Sequence, residues 1–250
     1  MKIRAVGWLL AAVTAASAGP PFLTDDPEPV EWRHWEVYIA SQYANTPGGP
    51  SGTAPHVEVN YGAAPNLQLH VIVPMAFARP TGGRFAWGPG DVELGAKFRF
   101  VQESRSCPMI GTFPHVELPA GAASHGLGFG HPQVFVPLWL QKSWGPWTTY
   151  GGGGYQINPG VGNANSWFGG WEVQRDLNAH WTVGGELYDQ TSTAAGGANS
   201  SGFNVGGQFN FDDSHHLLFS AGRGFGAAPR FTAYAAFQWT LGPHEKKAKP

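Results

Sequence analysis

The sequence predicts an all-β chain, an antiparallel transmembrane β-barrel of about twelve strands with long outer loops and short periplasmic turns. Three observations carry the prediction. Apolar and polar residues alternate along most of the chain, long and short connections alternate between the strands, and the composition suits strands and turns rather than a soluble domain. With 36 glycines, 14% aromatic residues and 13% charged residues, the chain holds about half the usual share of charge, so a conventional charged surface cannot be built. A net charge of −2 gives no broad attraction for polyanions, and nucleic acid is not expected as a partner.

The first 18 residues read as an export signal. Lys2 and Arg4 precede an apolar run from Ala5 to Ala15, and Ala16-Ser17-Ala18 offers a small-residue cleavage site before Gly19. The run is shorter than the roughly 20 residues that span a bilayer as a helix. Residues 19–31 form a Pro- and acid-rich periplasmic leader or plug, 32–241 the barrel, and 242–250 a basic tail. Cys107 has no second cysteine to pair with, so no disulfide staples the fold.

Twelve strands are expected near residues 33–44, 54–62, 66–78, 91–102, 108–118, 132–141, 146–157, 166–174, 180–190, 202–211, 216–223 and 231–240. The clearest is the fourth, where Val92, Leu94, Ala96 and Phe98 alternate with Asp91, Glu93, Lys97 and Arg99. Connections at Asn45–Gly52, Arg79–Gly90, Pro119–Gly130, Asn158–Asn165, Thr191–Ser201 and Gly224–Arg230 are long and rich in turn formers. Those at Ala63–Asn66, Lys142–Gly145, Arg175–Ala179 and Asp212–Ser214 are tight, with Glu103–Cys107 somewhat longer. An even strand number puts both termini on the short-turn, periplasmic side. Trp35, Trp147, Trp181, Tyr61 and Trp239 then fall near the periplasmic ends on the apolar phase, as a membrane-interface girdle requires. Alternation alone does not say which face is inside.

The stretches Gly19–Val30, His56–Gly62, Pro65–Leu69, Asp91–Phe100 and Val134–Lys142 resemble bacterial proteins of the MetA-pathway phenol-degradation family. The resemblance covers essentially the mature chain. It implies an outer-membrane, transporter-like barrel in a Gram-negative bacterium and carries no substrate motif. Passage of small, hydrophobic or aromatic solutes is the leading expectation. The alternatives are a structural outer-membrane barrel without transport and a soluble secreted barrel that binds a ligand. Expected partners are outer-membrane lipid, the assembly machinery and a small-molecule solute.

Catalytic, metal and cofactor motifs are not apparent. Ten histidines include no H-E-x-x-H, the His215-His216 neighbours point to opposite faces, and the run Gly151–Gly154 lacks the Lys-Ser/Thr of a phosphate loop. A nucleophile elbow is also missing, so neither an enzyme nor a cofactor is expected. With the apolar phase toward lipid, the polar phase projects Glu58, His70, Glu93, Lys97, Arg99, His115, Glu117, Glu172, Glu186 and Gln208 into the lumen. The aromatic residues of that phase are Tyr38, Phe135, Trp139, Tyr150, Phe168, Tyr188 and Tyr234. A charge network that fills the barrel and a lining that touches solute are both compatible with this set.

Overall fold

The computed structural model describes residues 21–226 and 229–243. The export signal and residues 244–250 of the tail lie outside the described residues. Fourteen strand segments follow one another: β1 (Trp35–Thr46), β2 (Gly49–Ala64), β3 (Leu67–Ala78), β4 (Ala86–Pro89), β5 (Val92–Val101), β6 (Met109–Thr112), β7 (His115–Leu118), β8 (Gln133–Trp144), β9 (Trp147–Ile157), β10 (Ser166–Asp176), β11 (Trp181–Gln190), β12 (Ser200–Asn210), β13 (His215–Phe225) and β14 (Phe231–Leu241). All pairings are antiparallel, and β1 against β14, from Trp35↔Leu241 to Asn45↔Phe231, closes the sheet on itself.

The segments make twelve staves. β4 pairs with the outer part of β3 and continues into β5, which pairs with the rest of β3. β6 and β7 lie end to end between β5 and β8 and form a single stave broken at Phe113-Pro114. Closure satisfies the edges that an open sheet would leave unpaired.

Two expected boundaries are corrected. The connection at Asn45–Gly52 is a tight hairpin, with only Pro47 and Gly48 between β1 and β2 and with Asn45↔Pro50 and Ala44↔Ser51 in register. Its Gly-Pro-Ser composition reads as loop, yet a ladder is made by backbone groups, and two staves can extend past the membrane on those alone. The stretch expected as one strand at 108–118 is interrupted at Pro114, which has no N–H to offer.

The outward phase is apolar and exposed. Ile39, Val57, Leu69, Val73, Leu94, Leu138, Trp171, Leu187 and Val205 are each at least two-fifths exposed, while Glu58, His70, Lys97, Glu172 and Glu186 are buried on the opposite phase. A soluble protein does the reverse; a barrel in hydrocarbon needs this arrangement. At the short-turn end Trp35 stacks on Tyr61 with ring centroids 4.2 Å apart, and Trp147 and Trp181 are also exposed.

Candidate functional site in the lumen

The inner wall is not lined around open space. Residues 21–31 enter from the short-turn end, where the Arg33 N–H donates to the Gly62 carbonyl at 2.7 Å and Arg33 turns the chain into β1 with φ of 67°. From there the leader touches eight staves. The Val30 N–H donates to Gln68 of β3, and Gln141 of β8 donates to Glu28 at 3.1 Å. Higher up, Lys97 of β5 reaches Asp25 at 2.9 Å and Asp26 at 3.4 Å. The N–H groups of Leu23 and Thr24 both donate to the Glu186 carboxylate of β11 at 2.8 Å, and Ser220 of β13 donates to the Pro21 carbonyl at 2.6 Å. On β2, β6 and β10 the wall is glycine where the leader comes closest, Gly62 of β2 lying against the Glu31 carbonyl. A Cβ on Gly170 would fall 2.1 Å from Thr24 Oγ1, and one on Gly111 would fall 2.9 Å from Pro27. Thr24, Asp26 and Pro27 are fully buried as a result.

The expected lining residues separate into groups. Glu58, His70, Glu93 and His115 come together on β2, β3, β5 and β7. His70 Nε2 lies 3.0 Å from Glu93, His70 Nδ1 lies 3.7 Å from Glu58, and His115 lies 3.9 Å from Glu93. Asn60, which sequence reasoning missed, accepts from His70 at 2.6 Å. Lys97 and Arg99 turn instead to the leader: Arg99 is 3.8 Å from Glu28 and also donates to Asn66. Glu186 holds the leader backbone and accepts from Asn204 at 2.6 Å, while Glu172, fully buried, lies across from Glu186 and Tyr150 in the ladders. Glu117 is half-buried without an ion pair among those described. Gln208 is apart from the rest, near the short-turn end, bonded to Asn210 and His216.

The aromatic residues divide as well. His115, Phe135, Trp139, Phe168 and Tyr188 follow one another along the wall with successive ring centroids 5.3 to 6.5 Å apart, and Phe113 joins His115 at 5.6 Å. Tyr38 and Tyr234 instead pack with Ala40, Leu218 and Ala236 into a small apolar core. Tyr150 is buried opposite Glu172. The leader residues Asp25, Asp26 and Glu28 were missed as site residues. Their signal was available as an acidic stretch complementary to Lys97 and Arg99.

A cavity of about 580 Å³ opens at the short-turn mouth between the leader and the β2–β3 turn, lined in part by Glu28, Trp32, Arg33, Asn66 and Arg99. Among the described residues no group of three or more His, Cys, Asp or Glu side chains is arranged to hold a metal ion.

The geometry defines a class: a closed twelve-stave antiparallel barrel of the outer-membrane type, with its leader folded inside. The chain is similar in structure to the COG4313 outer membrane channel from Pseudomonas putida F1, with a TM-score of 0.68 and 13% identity over 90% of this chain and 100% of that one. It is also similar to the KdgM porin, with a TM-score of 0.56 and 9% identity over 82% of this chain and 99% of that one. At such identities the likeness concerns the fold. No family model matches the sequence, and no match was found among curated proteins.

Proposed function

We propose that the protein sits in the outer membrane of a Gram-negative bacterium and passes small, hydrophobic or aromatic solutes, and that the leader closes the route until it is displaced. The observation that carries this reading is the way the leader is held. Its contacts to the wall are mainly side-chain hydrogen bonds and ion pairs rather than an apolar core, so it is attached yet separable. Each neutral bond of this kind contributes about 0.5–1.5 kcal/mol, and each bond to a charged group about 1.5–3 kcal/mol. The aromatic series from His115 to Tyr188 gives a planar apolar solute a surface to slide along, and the neighbouring His–Glu cluster serves polar substituents. A twelve-stave barrel has a diameter between side-chain-filled eight-stranded barrels and open sixteen-stranded porins, which leaves room for such a solute once the leader moves. The likeness to a channel and a porin agrees with this reading, as does the resemblance to phenol-degradation proteins, which points to aromatic metabolism.

The test is flux. Protein lacking residues 20–31 should conduct ions in planar bilayers and admit phenol into liposomes faster than the intact mature chain, and Trp139→Ala should alter phenol flux in the leaderless form. A leaderless barrel that assembles and passes nothing would instead make this a structural barrel.

A further inference from the structure

The cations of the barrel are unevenly placed. Lys97 and Arg99 face the lumen, while Arg33, Arg105, Lys142 and Arg175 stand at the short-turn end. Arg79, Arg84, Arg223 and Arg230 all stand at the long-loop end, on one arc that runs from β13 through β14 and β1 to β4. All four are exposed. The connections at 45–52, 79–90 and 224–230 on this arc contain no Asp or Glu, and those at Pro119–Gly130, Asn158–Asn165 and Thr191–Ser201 on the other arc contain no Lys or Arg. Among the described residues the four guanidinium groups enter no ion pair, whereas Lys97, Arg99 and Lys142 each do. Asp189, on the outward phase at the same height, stands on β11, two staves beyond Arg223 and outside the arc.

Backbone pairing fixes where these side chains start. The Arg79 N–H donates to the Pro50 carbonyl at 2.9 Å, the Arg230 N–H donates to the Asn45 carbonyl at 2.7 Å, and Asn45 and Pro50 oppose one another in the β1–β2 hairpin. One step past Gly222↔Thr232, Arg223 meets Phe231, which itself faces Asn45. A single row of the wall therefore reads Arg223, Phe231, Asn45, Pro50, Arg79, with its end members four strand spacings, about 19 Å, apart. Arg230 adjoins one end of the row, and Arg84 stands near the other on the β3–β4 connection. An aromatic belt accompanies it: Phe85, Phe77, Tyr43 and Phe231 follow one another with ring centroids 6.4, 6.3 and 6.2 Å apart. Such a belt marks the membrane–water boundary, so the arginines sit at the depth of lipid headgroups. A guanidinium fork matches a phosphate in charge and in geometry.

We propose that this arc of the outer wall binds a glycolipid of the outer leaflet that carries a phosphoryl group at each end of its saccharide headgroup. Arg79 and Arg84 hold one phosphate, Arg223 and Arg230 hold the other, and the uncharged Asn45–Pro50 hairpin end lies beneath the sugar. Two cation pairs with a neutral span between them fit a ligand with two separated anions; a lipid with one phosphate fills only half of the site. The β1–β14 pair that closes the barrel lies between the two arginine pairs, so the bound headgroup bridges it. The proposal rests on the outer-membrane placement given above and on nothing about solute passage.

The test compares ligands and then removes one arginine from each pair. Mature protein folded in detergent is titrated with lipid A phosphorylated at both ends, with its monophosphorylated form, with phosphatidylglycerol and with inorganic phosphate. Lipid retention is read by native mass spectrometry and barrel stability by thermal unfolding. The doubly phosphorylated form should bind about tenfold or more tightly than either single-phosphate lipid, because its second contact is intramolecular, and it should raise the unfolding midpoint most. Arg79→Gln with Arg230→Gln should abolish that preference, whereas Arg105→Gln with Arg175→Gln, an equal loss of charge at the short-turn end, should keep it. Equal binding of the two lipid A forms, or a preference unchanged in Arg79→Gln with Arg230→Gln, overturns the site. Stabilisation by inorganic phosphate equal to that by the doubly phosphorylated lipid makes it an ion site and overturns the glycolipid. A mature protein that is soluble without detergent and absent from outer-membrane fractions removes the placement on which the proposal rests; a barrel recovered from those fractions without the preference overturns the glycolipid site alone.

Discussion

The two sides of the barrel hold the same leader by different means. From β2 to β7 the inner wall is charged, with Glu58, His70, Glu93, Lys97, Arg99, His115 and Glu117, and the leader answers with Asp25, Asp26 and Glu28. From β9 to β13 the wall is rich in glycine, including Gly152, Gly154, Gly170, Gly184, Gly206 and Gly222, and there the leader presents its backbone: Leu23 and Thr24 give N–H groups to Glu186, and Pro21 gives a carbonyl to Ser220. One side grips by charge and the other by closeness. The first kind of contact reads out which side chains the leader carries; the second asks only that no bulk intervene.

The largest effect expected from this contrast lies on the charged side. Lys97→Met removes the partner of Asp25 and Asp26 together and leaves two carboxylates facing each other in the lumen, a loss of about 3–5 kcal/mol for a broken buried pair. Limited proteolysis of folded protein should then cleave within 21–31, and conductance should rise. If the leader stays protected, charge is not what holds it.

On the outer faces the two sides should behave alike. Leu94→Arg on the charged side and Val205→Arg on the glycine side each place a cation against lipid at about 2–4 kcal/mol, and both should lower the yield of heat-resistant folded barrel. Glu93→Gln, one residue away but turned inward, should assemble and alter only the His70 and His115 contacts. Equal assembly defects in Leu94→Arg and Glu93→Gln would reverse the assignment of the faces.

A smaller effect is expected on the glycine side. Glu186→Gln keeps one acceptor for the leader backbone but loses the charge, at about 1–2 kcal/mol. Leader protection should weaken without vanishing, and Gly170→Ala, which intrudes on Thr24, should have the larger consequence of the two for proteolysis. Smallest is the exposed turn at Asp212, whose carboxyl is held below the usual range by His215 and by the Ser214 N–H. A depressed carboxylate contributes stability above its unfolded pKa, which fades as pH falls through the lower folded value. Asp212→Asn should therefore flatten only the acid limb of a thermal unfolding profile.

The staves were legible because alternation is a local property: Val92 to Arg99 shows its two faces in eight consecutive residues. Which face points outward was not legible from alternation itself; the aromatic girdle and the loop rhythm pointed the apolar phase to lipid, and that phase is the exposed one. The Pro47-Gly48 hairpin was illegible because side-chain composition at a strand's end says little about backbone pairing beyond the membrane. Proline at 114 was in plain sight, but that Pro137 lies opposite its neighbour Phe113 is a coincidence that register alone creates. The leader's place was least legible of all. Its acidity was visible, whereas its partners lie 38 to 199 residues away along the chain.

That last separation has a consequence for biogenesis. The leader is synthesised before any stave, yet the docking surface for it exists only after β11 and β13 have joined a ring that β1 and β14 close. Contacts of such long range form late, because the chain entropy of closing the loop must be met first. Residues 21–31 thus travel ahead of the barrel and settle after it. On the function proposed above, the nascent protein is an unstoppered ring for that interval, and the pace of docking sets how long the barrel stays open.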